Sequence, residues 1–371
     1  MILTLAAECD LEVQQMDVKS AYLNGELKEE IFMKAPPGFD VPEGMVLRLI
    51  KAVYGTKQGG RVWYEEIRDK LGAMGYQRTE ADHTVFTCTR NGTLSIIALY
   101  IDDSTMASGD LESISLDKVS LRDSYEMTDL GDLSWILGMH VTRDRDAGCI
   151  AISQQKHIEE TLERFGKLDI RPISMPTLAN ECLIKISSPE IDIKSYQSAI
   201  GALMYPMLGT RPDLAYTVAA LGRHSASPGE EHERALDCTF RYLRATSDSH
   251  LVFQCETPGG TTLHGFVNTD WASDVNDRKS TSGFVFMLGG VLVVARQAIV
   301  EVLHNLADIA REFGVMDGAG DGEGDGEGLL DVEPRVGGRS KLCKCELVKQ
   351  TMREEGRELQ EEKKERGDET G

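Results

Sequence analysis

Along residues 1–178, short alternating apolar stretches are interleaved with amphipathic helical spacings, the texture of an α+β unit. Leu11-Glu12-Val13-Gln14-Gln15-Met16 alternates as a half-buried strand does, and 94–101 is a more continuous apolar run of strand length. Both runs end in acid, the first in Asp17 and the second in Asp102-Asp103. The pattern turns helical between 190 and 247. Apolar residues three and four apart predict helices over 195–208 and 213–221, and Pro228-Gly229-Glu230-Glu231 opens a third that runs through Tyr242-Leu243. Strand spacing returns over 251–290, where 261–267 and 283–288 read as a pair. From Val291 the pattern changes again and becomes low in complexity. Asp321-Gly322-Glu323-Gly324 repeats as Asp325-Gly326-Glu327-Gly328, and 353–366 is almost all charge.

Composition narrows the class. With 371 residues, 41% hydrophobic and 27% charged, most of the chain can bury a core, and two or three domains are expected. No apolar run approaches the ~20 residues that cross a bilayer, and the N-terminus lacks a basic leader. An intracellular, soluble protein without a membrane partner is expected. Six of the eight cysteines are scattered singly and suit buried reduced thiols, and Cys343 with Cys345 lacks the further ligands zinc requires. A calcium loop beginning at Asp321 fails because its twelfth position is Val332, so a solvated, disordered acidic segment is expected instead.

The net charge of −21 argues against a nucleic-acid partner, since phosphate backbones are gripped by cations. The last 55 residues hold 16 acidic and 10 basic side chains and account for −6; the remaining −15 belongs to the globular part.

Asp-Asp after a buried strand is commonly just a hairpin turn. A second strand ending in Asp17 gives the pair another meaning. Adjacent carboxylates repel unless a cation sits between them, and carboxylates from two strand ends are what two-metal phosphoryl transfer requires. Several blocks then carry a resemblance in order. They are Gln15-Met16-Asp17-Val18-Lys19-Ser20-Ala21-Tyr22-Leu23-Asn24-Gly25 with Ala35-Pro36-Pro37-Gly38-Phe39, Tyr54-Gly55-Thr56-Lys57-Gln58 with Arg61-Val62-Trp63-Tyr64, and Tyr100-Ile101-Asp102-Asp103. Met127-Thr128-Asp129-Leu130-Gly131, Arg211-Pro212-Asp213, Arg241-Tyr242-Leu243 and Asp270-Trp271-Ala272 follow. Over about residues 1–290 the chain resembles the reverse transcriptases of Ty1/copia-type retrotransposons.

The resemblance implies an α+β fold. A reverse-transcriptase palm of antiparallel sheet and helices (1–178, lacking most of the fingers) leads to a helical connection (179–260), a truncated ribonuclease H-like β-hairpin (261–290) and a divergent acidic tail (291–371). It implies RNA-directed DNA synthesis with two Mg2+ ions (Mn2+ as a substitute), a primed RNA or DNA template and deoxynucleoside triphosphates. By position, Asp17, Asp102 and Asp103 are the catalytic and metal-binding acids, with Asp102 expected to do more than Asp103 because successive strand residues face opposite sides. Tyr22 would exclude a 2′-hydroxyl on the incoming sugar, Gln58 would lie near the nascent base pair, and Lys57 and Arg61 would contact phosphates. A retroelement particle in the cytoplasm, with access to the nucleus, is the implied setting.

Three departures qualify this expectation. The chain opens on a helix that in relatives follows the fingers, whose basic residues hold triphosphate and template. Asn268 stands where relatives carry the first ribonuclease H acid, and the later Ser-Thr-Glu-Ala-Glu segment is not found. Ribonuclease H activity is therefore expected to be absent, and polymerisation to need another retroelement-encoded chain. A decayed, non-enzymatic product that is inert or binds proteins is the alternative.

Overall fold

The computed structural model describes residues 1–176 apart from Asp40 and Glu43, residues 183–184 and 191–254, and three strands at 263–269, 282–288 and 291–296. The N-terminal unit runs α1 (Ile2–Glu8), β1 (Glu12–Val18), β2 (Glu26–Met33), β3 (Leu47–Lys51), α2 (Gly59–Ala73), β4 (Gln77–Arg78), β5 (Val85–Arg90), β6 (Thr93–Tyr100), β7 (Asp103–Ser108), α3 (Leu111–Arg122) and β8 (Met127–Asp132). Six of its strands form one sheet in the order β4-β5-β6-β7-β1-β8, and every described pairing is antiparallel.

Strand alternation divides the side chains between the two faces of this sheet. Met16, Val18, Ile97 and Met106 face α2 and α3, where Trp63, Ile67 and Leu71 form an i, i+4 stripe and Ile114 and Leu121 stand i, i+7 on one face. Leu11, Val13, Ile96 and Ala107 take the opposite side. They pack there with Leu5 and Ala6 of α1 and with Val141, Ile150, Ile152 and Phe253 of a second sheet. That sheet is made by β9 (Trp135–Ile136), β10 (Met139–Asp144), β11 (Cys149–Ser153) and, much later in the chain, β12 (Leu251–Gln254).

The helices α4 (Gln155–Arg164), α5 (Ile193–Gly209), α6 (Ala215–Gly222) and α7 (Glu230–Ala245) share a separate core around Leu162, Leu203, Leu221 and Phe240. Each helix expected between 190 and 247 is present, the second shortened at its start by the 3-10 turn Pro212–Leu214. α4 lies in the stretch expected to belong to the palm, yet it packs with the helical unit through Ile158 and Leu162. β12 reverses that exchange, returning from the helical stretch to pair with β11.

Beyond it, β13 (Leu263–Thr269) and β14 (Ser282–Leu288) pair as expected from the sequence. The strands do not stop at Leu288, however. β15 (Val291–Arg296) pairs along β14, so the hairpin expected over 261–290 gains a third strand and the divergent tail expected from 291 begins at least one strand later. The acidic segment expected further on lies outside the described residues. The cysteine reading is corrected in part: Cys238 is buried, but Cys9 is exposed and Cys88 and Cys149 are half-buried. Among the described residues no helix is long and apolar enough to cross a membrane.

Candidate active site

β1 lies between β7 and β8, and its last turn of register sets Asp17 opposite Asp103 on β7 and opposite Thr128 on β8. Tyr100 pairs with Asp103, leaving Ile101 and Asp102 as the two-residue tip of the β6–β7 hairpin. The Asp102 carbonyl accepts a hydrogen bond from the Val18 N–H at 2.9 Å. Three acids from two distant stretches of chain thus meet at one end of the sheet. Burial, and then the charges of Asp102 and Asp103, push the Asp17 carboxyl above the ordinary carboxylate range.

Two supports of this arrangement are not readable as functional in the sequence. Gln15 shares the face of Asp17, and its amide donates to Asp103 Oδ1 at 3.3 Å. Trp63, buried on α2, donates its indole N–H to the Ile101 carbonyl at 2.6 Å and meets Tyr125 edge-on. Ile101 is held at φ +56°, a left-handed conformation that a β-branched residue rarely adopts. The only sequence signals were a glutamine at an inward strand position and a tryptophan on an amphipathic stripe, both also compatible with plain packing.

Tyr22 follows β1 in the 3-10 turn Ala21–Asn24, and its ring packs against the α2 core. It stacks on Tyr54, centroids 4.3 Å apart and planes 22° apart. Gln58 is half-buried at the start of α2, its carbonyl accepting from the Val62 N–H. Lys57 beside it is exposed. Arg61 is exposed too, and it is engaged along the helix by Glu65 at 2.8 Å. The structure therefore brings Tyr22 and Gln58 into one neighbourhood at the start of α2, and ties Arg61 to a carboxylate. Asn268 sits on β13, paired in register with Gly283; the downstream residues considered for metal lie outside the described residues.

Magnesium prefers hard oxygen donors, and carboxylates gathered at one sheet end are donors of that kind. Among the described residues no three His, Cys, Asp or Glu side chains stand together as a ready metal group. The donor chemistry of Asp17 and Asp102 fits such an ion.

Comparison with known proteins decides the family. Residues 1–179 match the family described as reverse transcriptase (RNA-dependent DNA polymerase). The putative transposon Ty5-1 protein of Saccharomyces cerevisiae is 30% identical over 282 residues, covering 75% of this chain and 90% of that protein. The chain belongs to the copia-type retrotransposon reverse transcriptases. The Retrovirus-related Pol polyprotein from transposon TNT 1-94 of Nicotiana tabacum is 39% identical over 299 residues, 78% of this chain. That from transposon RE2 of Arabidopsis thaliana is 32% identical over 294 residues. This reverse transcriptase chain spans about a fifth of the length of those two polyproteins, 22% and 20% respectively.

Proposed function

We propose that the chain is the catalytic palm of a metal-dependent polymerase that extends a DNA primer on an RNA or DNA template from deoxynucleoside triphosphates. The observation that carries this reading is the register of β1 against the β6–β7 hairpin, which sets Asp17 opposite Asp103 and beside Asp102. Asp17 and Asp102 would hold Mg2+, with phosphate oxygens and water completing its shell. When bound, the metal supplies positive charge beside the primer 3′-hydroxyl and the α-phosphate. The chain's own residues do the rest. Gln15 donates to Asp103, Tyr22 would offer a flat wall to the sugar, and Gln58 and Lys57 would face the nucleotide from the start of α2. Arg61 would reach a phosphate only by leaving Glu65.

The test is primer extension on an RNA template by the purified chain with Mg2+, beside Asp102→Asn. Extension that Asp102→Asn abolishes is the expected result. Extension retained by that variant overturns the role of Asp102, and no extension by the natural chain in any divalent metal favours an inert product. The segment around Asn268 is proposed to have no ribonuclease H activity, because a neutral amide binds Mg2+ far less well than a carboxylate. Cleavage of RNA in an RNA–DNA hybrid that vanishes on Asp270→Asn would overturn this.

A further inference from the structure

Tyr54 has no role in the reading above. Its ring lies flat against Tyr22, and 52% of its surface remains open. Its hydroxyl sits beside the Ala21 N–H, in the turn that carries Tyr22. The Tyr22 ring is confined on another side by the first turn of α2. A Cβ on Gly59 would stand 3.1 Å from Tyr22 Cδ2, and one on Gly60 3.5 Å from its hydroxyl oxygen. Tyr22 is thus backed by a flat aromatic partner and edged by two residues that have no side chain.

We propose that Tyr54 is a positioning residue for Tyr22, fixing the plane of the ring that meets the incoming sugar and so setting the discrimination between deoxyribo- and ribonucleotides. The inference rests on the reading of Tyr22 as the sugar wall. Exclusion of one hydroxyl requires a wall that cannot tilt, and an unsupported side chain reorients in picoseconds to nanoseconds. A stacked partner restricts that tilt, while the bare glycines let the ring sit close to the helix. Tyr54 itself needs no contact with the nucleotide.

The experiment compares dTTP with UTP in primer extension by the full chain and by Tyr54→Leu, Tyr54→Phe, Tyr22→Ala and the Tyr22→Ala/Tyr54→Leu double variant. Tyr54→Leu is expected to lower the dTTP-to-UTP efficiency ratio by roughly two- to tenfold, the worth of one aromatic pair. The loss should come from faster UTP use, with dTTP turnover little changed. Tyr54→Phe keeps the ring and should keep most of the ratio. Tyr54→Leu should add nothing once Tyr22 is alanine. A ratio lost in Tyr22→Ala but unchanged in Tyr54→Leu overturns the inference and leaves the sugar wall standing. A ratio unchanged in Tyr22→Ala removes the wall and the inference together. If the natural chain extends no primer, tyrosine-ring flipping measured by NMR on the labelled full chain decides the clamp. Slow flipping of Tyr22 that becomes fast in Tyr54→Leu supports it, and equal rates in both overturn it.

Discussion

The indole N–H of Trp63 and the carbonyl of Ile101 are 2.6 Å apart, and this bond joins the buried stripe of α2 to the hairpin tip that carries Asp102. The tip is strained at Ile101, and a left-handed non-glycine residue costs on the order of 1–3 kcal/mol. Trp63→Phe keeps an aromatic ring and removes the donor. It is expected to cost about 0.5–1.5 kcal/mol and to lower primer extension by roughly tenfold or more. A chain whose melting point falls while extension per folded molecule is unchanged would show that the bond serves the fold alone.

The acids repel, so the site should be most stable when they are neutralised. The folded-state proton affinity of Asp17 is raised above its unfolded value. Its contribution to stability is therefore fully present below the ordinary carboxylate range and is lost as the pH rises through the raised value. At neutral pH without metal, Asp17→Asn should raise Tm by about 1–3 °C. Mg2+ at ten times its dissociation constant should stabilise the natural chain by about 1.4 kcal/mol and stabilise Asp102→Asn much less. Melting curves with and without Mg2+ check both; equal metal responses would remove Asp102 from the ligand set.

Acid should weaken the helical unit through His232. It is fully buried at the start of α7, and its Nδ1 accepts the Gly229 N–H at 2.8 Å, which fixes the neutral form. Burial is the leading cause that holds its pKa below the ordinary histidine value. That contribution is present above the ordinary histidine range and is lost as the pH falls through the lowered value. Glutamine at the same helix position can accept the same N–H without titrating. His232→Gln should flatten the fall in Tm between about pH 7 and 5. An unchanged slope would place the acid sensitivity elsewhere.

The turn between β9 and β10 is latched to the helical unit. Tyr205 of α5 donates its hydroxyl to the Leu137 carbonyl, and a Cβ on Gly138 would stand 2.9 Å from that hydroxyl oxygen. Gly138 also sits at φ +77°. Gly138→Ala should cost about 1–2 kcal/mol from backbone conformation alone, with the clash in addition. Tyr205→Phe removes the clashing atom, so the double variant should be less destabilised than the two single losses added together. Strict additivity in denaturant unfolding would show that the hydroxyl does not press on the turn.

Much of the site was legible because it is local and chemically explicit. Asp17, Tyr22, Asp102 and Asp103 each sit in a motif, and the alternation along β1 and the apolar run of β6 already placed the acids at strand ends. Arg61 shows the limit. Its motif position carries the expectation of a phosphate contact, and the linear pattern does not show that Glu65, one helical turn away, pairs with it. The charge of −21 pointed away from nucleic acid, whereas membership of the family comes from the order of the motifs, which a whole-chain sum does not register.

The sequence by itself determined which residues are acids at strand ends, that three helices lie between 190 and 247, and that a strand near 261–267 pairs with one near 283–288. These follow from spacing within one element, where period and capping act locally. Only the tertiary structure decided that Gln15 holds Asp103, that Trp63 anchors Ile101 and that Tyr54 backs Tyr22. It also decided that α4 joins the helical core and that β12 returns to pair with β11. Each of these joins residues from separate elements. Side chains of the same polarity fit several partners equally well in the linear pattern, and strand register and helix packing select among them only when the chain is closed into its sheets.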